Sequence, residues 1–242
     1  MRIVFVRHCE PDYEIDSLTP KGWREAKLLA DRVSNWDVDA FYESPLGRAH
    51  DTARTCLELR RELGKNHDVT VLPWLKEFYY QLKMPVTGAD AMCWDLMPSY
   101  FNGNKELHDK DSWCDTPLMV SGDIRNEYEY VIKEFDKLLG GHGYERLPDG
   151  SYKVNEHNDK TIVMFCHFGI SALLTGYLTG IAPTCLWQGF FMAPSAVTII
   201  GSEEREKGIA SFRVQEFGSV SHLTTNNEPV SSSGYFAEVL NL

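Results

Sequence analysis

Two short apolar runs in this chain each end in a histidine. The first, Ile3-Val4-Phe5-Val6, leads into Arg7-His8-Cys9-Glu10-Pro11. The second, Thr161-Ile162-Val163-Met164-Phe165, leads into Cys166-His167-Phe168-Gly169. Runs of this length and type suit strands covered on both faces. In an open α/β sheet both would end on the carboxyl edge, where ligands bind near a topological switch point. Two imidazoles and an arginine meeting there describe an anion site with a nucleophile in it. Arg7 beside His8 disfavours the imidazolium and helps keep the ring neutral. A neutral imidazole nitrogen can attack phosphorus and form a covalent intermediate. Taken singly, each histidine fits a structural, hydrogen-bonded role equally well.

Two further residues carry chemistry. Arg48, in Ser44-Pro45-Leu46-Gly47-Arg48-Ala49-His50-Asp51-Thr52-Ala53, falls in the first turn of an expected helix. A cation there opposes the helix dipole, at about 0.3–1 kcal/mol. Either it is a solvated arginine, or an anion at the helix start offsets the conflict and the guanidinium fork holds its oxygens. Glu77 lies in Pro73-Trp74-Leu75-Lys76-Glu77-Phe78-Tyr79-Tyr80. Among so many rings its carboxyl group is either desolvated, with a raised pKa suited to a general acid, or paired with a lysine at the surface. Gly169 and the helix start behind it are expected to offer backbone N–H groups to the same anion as His167.

The elements that must position these groups alternate. Strands are expected at residues 3–6, 40–42, 69–72 and 162–165. Helices are expected from Thr19 (N-cap, with Pro20 at N1) to about Ser34, over 46–63, and from Gly169 to about Gly180. Residues 196–200 and 210–214 form an expected antiparallel pair joined by a charged loop at 202–208. This pattern predicts an α/β fold, a three-layer α/β/α sandwich with a mostly parallel sheet and an antiparallel C-terminal strand. Residues 1–242 are taken as a single domain. Residues 79–160 are too long for a plain loop, so they are read as an inserted, lid-like region with a helix near 123–139 and a turn at Pro148-Asp149-Gly150.

Composition bounds the function. With 43% hydrophobic and 12% aromatic residues the chain can bury a full core. Its 24 Lys+Arg against 35 Asp+Glu give a net charge of −11, so its field repels nucleic acid. No apolar run reaches the roughly 20 residues of a membrane helix. A strand beginning at residue 2 or 3 leaves no room for a secretory signal, so a cytoplasmic location and six cysteines kept as thiols are expected.

Several segments, in order, resemble the histidine phosphatase superfamily, the phosphoglycerate-mutase-like fold, in its phosphatase branch. Val6-Arg7-His8-Cys9-Glu10 resembles its Arg-His-Gly signature, and Leu18-Thr19-Pro20-Lys21-Gly22 the Leu-Thr-x-x-Gly helix start that follows. Ser44-Pro45-Leu46-Gly47-Arg48-Ala49 with Thr52-Ala53 resembles its Ser-Pro-Leu-x-Arg-Ala-x-x-Thr-Ala segment, and Leu75-Lys76-Glu77 the Leu-x-Glu of its proton donor. Cys166-His167-Phe168-Gly169 fits the second-histidine motif; Pro194-Ser195-Ala196-Val197-Thr198 and Ser221-His222-Leu223 resemble its C-terminal strand and ending. Motifs falling in the family's order make coincidence a poor explanation. The resemblance implies a histidine acid phosphatase-type phosphomonoester hydrolase. In it His8 takes the phosphoryl group, Arg7, Arg48 and His167 bind its oxygens, and Glu77 protonates the leaving alcohol. It implies no metal and no organic cofactor, and a small-molecule phosphomonoester as partner. Oligomeric state stays open.

The chain departs from the pattern in places. Cys9 and Phe168 stand where the family has glycine, and Cys9 and Cys166 each adjoin a site histidine, so the two thiols are expected to lie near each other. Small apolar fillers, a redox pair, and a metal site with His8 and His167 are the three options, in that order of preference. A Cys9–Cys166 disulfide is not expected under mild oxidation. Trp94, Tyr100, Phe101 and Trp113 in the insertion form either a local core or part of the substrate site. More acids than bases at 104–115 favour a leaving group that is uncharged or partly apolar. A phosphoglycerate mutase is disfavoured because Glu77-Phe78-Tyr79-Tyr80-Gln81 lacks the cationic Glu-Arg-x-Tyr-Gly-like segment. A catalytically silent scaffold on the same fold is the alternative of a different class.

Overall fold

A computed structural model describes residues 1–235 and 237–239. Its centre is an eight-stranded sheet: β1 (Arg2–Arg7), β2 (Ala40–Glu43), β3 (Val69–Val71), β4 (Tyr144–Arg146), β5 (Tyr152–Val154), β6 (Thr161–Cys166), β7 (Val197–Glu206) and β8 (Ile209–Ser219). The principal helices are α1 (Pro20–Ser34), α2 (Gly47–Glu62), α3 (Ile124–Gly141), α4 (Phe168–Thr179), α5 (Pro183–Gly189) and the short α6 (Ser221–Thr224).

Strand order across the sheet is β3-β2-β6-β1-β7-β8-β5-β4. The first four are parallel; β7, β8, β5 and β4 join by antiparallel pairing. The antiparallel part is therefore larger than expected, because the hairpin around Pro148-Asp149-Gly150 adds its strands to the sheet edge. The charged stretch expected as a loop at 202–208 is mostly strand. The turn is confined to Lys207-Gly208, where Gly208 takes φ +78°, and Glu203 pairs with Arg213 across the strands.

Period-2 alternation sorts β1 and β6 into two cores. Val4, Val6, Val163 and Phe165 pack with Leu29, Val33 and Cys56 of α1 and α2. Ile3, Phe5, Ile162 and Met164 pack with Phe135, Leu173, Leu174 and Trp113. The second list includes residues of the 79–160 segment, so that segment supplies part of one layer beside α4 and is not merely a cover. α4 is buried on most sides, which accounts for its nearly all-apolar sequence.

Helix ends follow the sequence. Thr19 caps α1 by accepting the Gly22 N–H at 3.0 Å, with Pro20 in the first turn. α4 begins directly after His167 and ends at Gly180, φ +72°.

Candidate active site

The carboxyl ends of β1 and β6 lie side by side, with Arg7 registered opposite Cys166. The next residues are His8 and His167, and their rings stand 5.0 Å apart between centroids, tilted at 58°. The two histidines that the sequence separates are thus brought together.

Both rings are buried. The His8 backbone N–H donates to the Cys166 carbonyl at 2.9 Å. Its Nδ1 lies 2.8 Å from the Cys9 carbonyl, which can only accept, so Nδ1 carries the proton and Nε2 the lone pair. Burial, then Arg7 and Arg48, hold the His8 imidazole well below its ordinary pKa. His167 is held by Ser44, whose Oγ is 2.7 Å from Nε2. That Oγ also accepts the Leu46 N–H at 3.3 Å; in the tautomer in which its own proton goes to Nε2, the ring proton sits on Nδ1. Burial, then His8, Arg48 and Arg7, keep His167 neutral as well.

Arg7 ends β1 with its Nη1 donating to the Met192 carbonyl. Arg48 enters from the first turn of α2, and Asp16 lies against the same turn. Asp16 Oδ1 takes Arg48 Nη1 at 2.5 Å, and its Oδ2 accepts the Gly47 N–H at 2.7 Å. The anion expected at this helix start is therefore a side chain of the protein. Gly47 makes room for it: a Cβ there would stand 2.1 Å from the Asp16 carbonyl oxygen. Among the described residues, three buried side-chain atoms of the cluster find no partner: Arg7 Nε, Arg48 Nε and His167 Nδ1. A buried donor left unpaired is costly, about 1–3 kcal/mol each, and here three belong to the same site.

Glu77 is placed by the buried Trp74, Leu75 and Phe78 around it. Its Oε1 accepts the N–H groups of Phe78 (2.8 Å) and Ile170 (3.0 Å), and its Oε2 that of Gly169 (3.2 Å). The N-terminus of α4, expected to hold the external anion, is thus capped by Glu77. Burial raises the Glu77 pKa against the pull of those three N–H groups and of Arg7. Gly169 is required by packing: a Cβ would lie 2.4 Å from the Trp94 ring and 2.8 Å from Glu77 Oε1. Trp94 comes from the 79–160 segment, so that segment reaches the site, whereas Trp113 is core.

The departures from glycine find physical accounts. Cys9 is absent from the positive-φ residues, so the position does not need glycine. Its N–H donates to Thr52 Oγ1 at 3.1 Å. Its thiol packs in the α1/α2 core, while that of Cys166 packs in the opposite core. The expected proximity of the two thiols is overturned by the pleat of the sheet. Burial raises both thiol pKa values. Phe168 lies against the Arg7 guanidinium, 5.9 Å from its ring centroid.

Sequence reasoning assigned no role to several residues that hold the site. Asp16 and Ser44 are two of them. Ser195, at φ +63°, donates its N–H to the His8 carbonyl at 3.0 Å, and its Oγ is 3.0 Å from Nε2 of buried His222. Burial, then Arg32, lowers the His222 pKa to about 3, so the ring is neutral. Residues 228–235 lie beside the site. Glu228 pairs with Arg24, Ser231 Oγ donates to Glu10 Oε2 at 2.6 Å, and Tyr235 stacks on Phe191. A Cβ on Gly234 would be 3.6 Å from Arg7 Nη2. The motifs Ser44-Pro45 and Ser221-His222-Leu223 were visible signals for two of these groups.

Residues 3–84 match the family model described as the histidine phosphatase superfamily (branch 1). A phosphoserine phosphatase from Entamoeba histolytica, solved with 3-phosphoglyceric acid, superposes with a TM-score of 0.56 at 19% identity, covering 92% of this chain and 98% of that one. A mycobacterial glucosyl-3-phosphoglycerate phosphatase gives 0.56 at 18% identity, covering 90% and 99%. The alpha-ribazole phosphatase of Shigella flexneri gives 0.52 at 19%, covering 88% and 95%. These structures share the fold. A tRNA uridine(34) hydroxylase of Salmonella paratyphi B is 38% identical over 65 residues, 26% of this chain, and the chain spans 19% of that curated relative's length. The family's N-terminal segment is thus matched over residues 3–84, and the fold of these phosphatases extends over about nine-tenths of the chain.

Proposed function

We propose that this protein is a phosphomonoester hydrolase that works through a phosphohistidine, without a metal or organic cofactor. The observation that carries the reading is the set of buried donors, on Arg7, Arg48 and His167, that have no partner among the described residues and surround a neutral His8. Such donors bind phosphoryl oxygens and stabilise the charge of an in-line transition state.

His8 Nε2 attacks phosphorus, the P–O bond to the leaving group breaks, and Nδ1–H···O=C of Cys9 fixes the tautomer and steadies the positive ring. Arg7, Arg48 and His167 Nδ1–H hold the three equatorial oxygens. Glu77, whose pKa burial raises, gives its proton to the departing alkoxide. Its Oε2, with a single long hydrogen bond, is the less committed oxygen and the better seat for that proton. The resulting carboxylate then takes a proton from the water that attacks the phosphohistidine, which restores neutral His8 and protonated Glu77. The substrate is a small-molecule phosphomonoester; membrane and nucleic acid have no part. Among the described residues no helix is long and apolar enough to cross a membrane. Six unpaired cysteines support a cytoplasmic setting.

The test is p-nitrophenyl phosphate hydrolysis in EDTA, with acid-labile phosphoenzyme trapped by rapid quench. Wild type is expected to turn over and to label, and His8→Ala to do neither. A wild type inert towards monoesters, or a His8→Ala variant with undiminished turnover, sinks the reading.

A further inference from the structure

The charge balance and the rings around the site define what the leaving group can be. Arg48 is matched by Asp16 at 2.5 Å, and the carboxylates acting on Arg7 are those of Glu77 and Glu25. Among the described residues no third guanidinium or ammonium group touches Arg7, Arg48, His8 or His167. One phosphate dianion therefore uses up the cationic excess of the pocket. A second anionic group on the substrate would meet Asp16 with no cation to pair with, and like charges placed together select against a ligand.

Each phosphate-facing arginine instead carries an aromatic ring. Tyr13, 66% exposed, lies with its ring centroid 5.3 Å from the Arg48 guanidinium. Phe168 lies 5.9 Å from that of Arg7, and Trp94 meets Phe168 edge-on at 6.3 Å. An exposed tyrosine on one arginine and a phenylalanine–tryptophan pair on the other make an apolar rim beside a site for one anion.

We infer that the substrates carry a single phosphate on an uncharged leaving group with an aromatic ring, and that Tyr13 and Trp94 select the ring while Asp16 rejects a second anion. The inference rests on the hydrolase reading for the identity of the phosphate site. It distinguishes this chain from a phosphatase for phosphorylated hydroxy or amino acids, whose substrates carry a carboxylate.

Calorimetric binding of two stable phosphonates tests it without turnover. Phenylphosphonate carries a ring, and 3-phosphonopropionate carries a carboxylate. Phenylphosphonate is expected to bind the full-length protein at least about tenfold tighter. Tyr13→Ala and Trp94→Ala are each expected to weaken phenylphosphonate by about three- to tenfold and to leave 3-phosphonopropionate unchanged. Asp16→Asn is expected to narrow the gap by tightening 3-phosphonopropionate. Equal or tighter binding of 3-phosphonopropionate by wild type overturns the inference, as does binding of neither phosphonate. So does an unchanged preference in all three variants, whose folding is checked by thermal melts. Cleavage of p-nitrophenyl phosphate without the phosphonate preference removes this inference alone; the preference without cleavage removes the hydrolase reading alone.

Discussion

The two strand ends that meet in the site are built alike and held differently. After β1, His8 is fixed by main chain: its Nδ1 by the Cys9 carbonyl, its own carbonyl by Ser195 N–H. After β6, His167 is fixed by a side chain, Ser44, and the helix behind it is capped by another, Glu77. Main-chain contacts survive almost any substitution, whereas Ser44 and Glu77 can be removed singly. The proposed nucleophile is thus held by the least mutable contacts, and the proposed charge-binding and proton-donating parts by contacts that can be tuned. The partners differ in kind as well: a carbonyl, which can only accept, leaves a lone pair on His8 Nε2, whereas a hydroxyl can either donate to or accept from His167 Nε2.

Replacing His8 should have the largest effect, because it removes the attacking atom: His8→Ala loses about 10⁴-fold or more in kcat on p-nitrophenyl phosphate. His167→Ala should follow, with a loss of about 10²–10³-fold for one transition-state donor. Ser44→Ala should cost less, about tenfold, and show the same change in kcat as in kcat/KM. A Ser44→Ala variant as damaged as His167→Ala would erase the contrast drawn above.

Glu77→Gln discriminates by leaving group. Alkyl phosphates should lose about 10²-fold in kcat, and p-nitrophenyl phosphate, with its good leaving group, far less. The pH profile should carry the same signature. Burial raises the Glu77 pKa, so the protonated acid persists above the usual carboxylate range and the rate falls as pH rises through it. His8, with a lowered pKa, stays neutral to well below its ordinary value, so the acid limb lies low. Glu77→Gln should flatten the alkaline limb and leave the acid limb in place. The smallest effect is expected at the cysteines. Diamide should leave activity unchanged in wild type and in Cys9→Ser, because Cys9 and Cys166 face different cores. A reversible loss that Cys9→Ser abolishes would overturn that placement.

Legibility in the sequence followed the range of the interaction. Ile3–Val6, the Thr19-Pro20 helix start and the Gly180 end depend on neighbours within a few residues, and all were readable. Arg7, His8, Arg48, Glu77 and His167 were singled out by motifs, and the structure brings them together. The extension of the sheet by residues 144–154 was not, because a three-residue strand has too little pattern to announce which edge it joins. Asp16 as the anion of α2 was hidden for a related reason: it sits in a loop, 32 positions from the arginine it neutralises.

The sequence by itself determined which groups could do the chemistry, since residue type and local spacing set what a side chain can donate, accept or attack. The tertiary structure alone decided what each group does next. It gave the start of α4 to Glu77, paired Arg48 with Asp16, put the two thiols on opposite faces, and laid the C-terminal segment beside Arg7. Each of those is a contact between distant residues, and protonation state, tautomer and charge balance depend on such contacts more than on the residue's own identity.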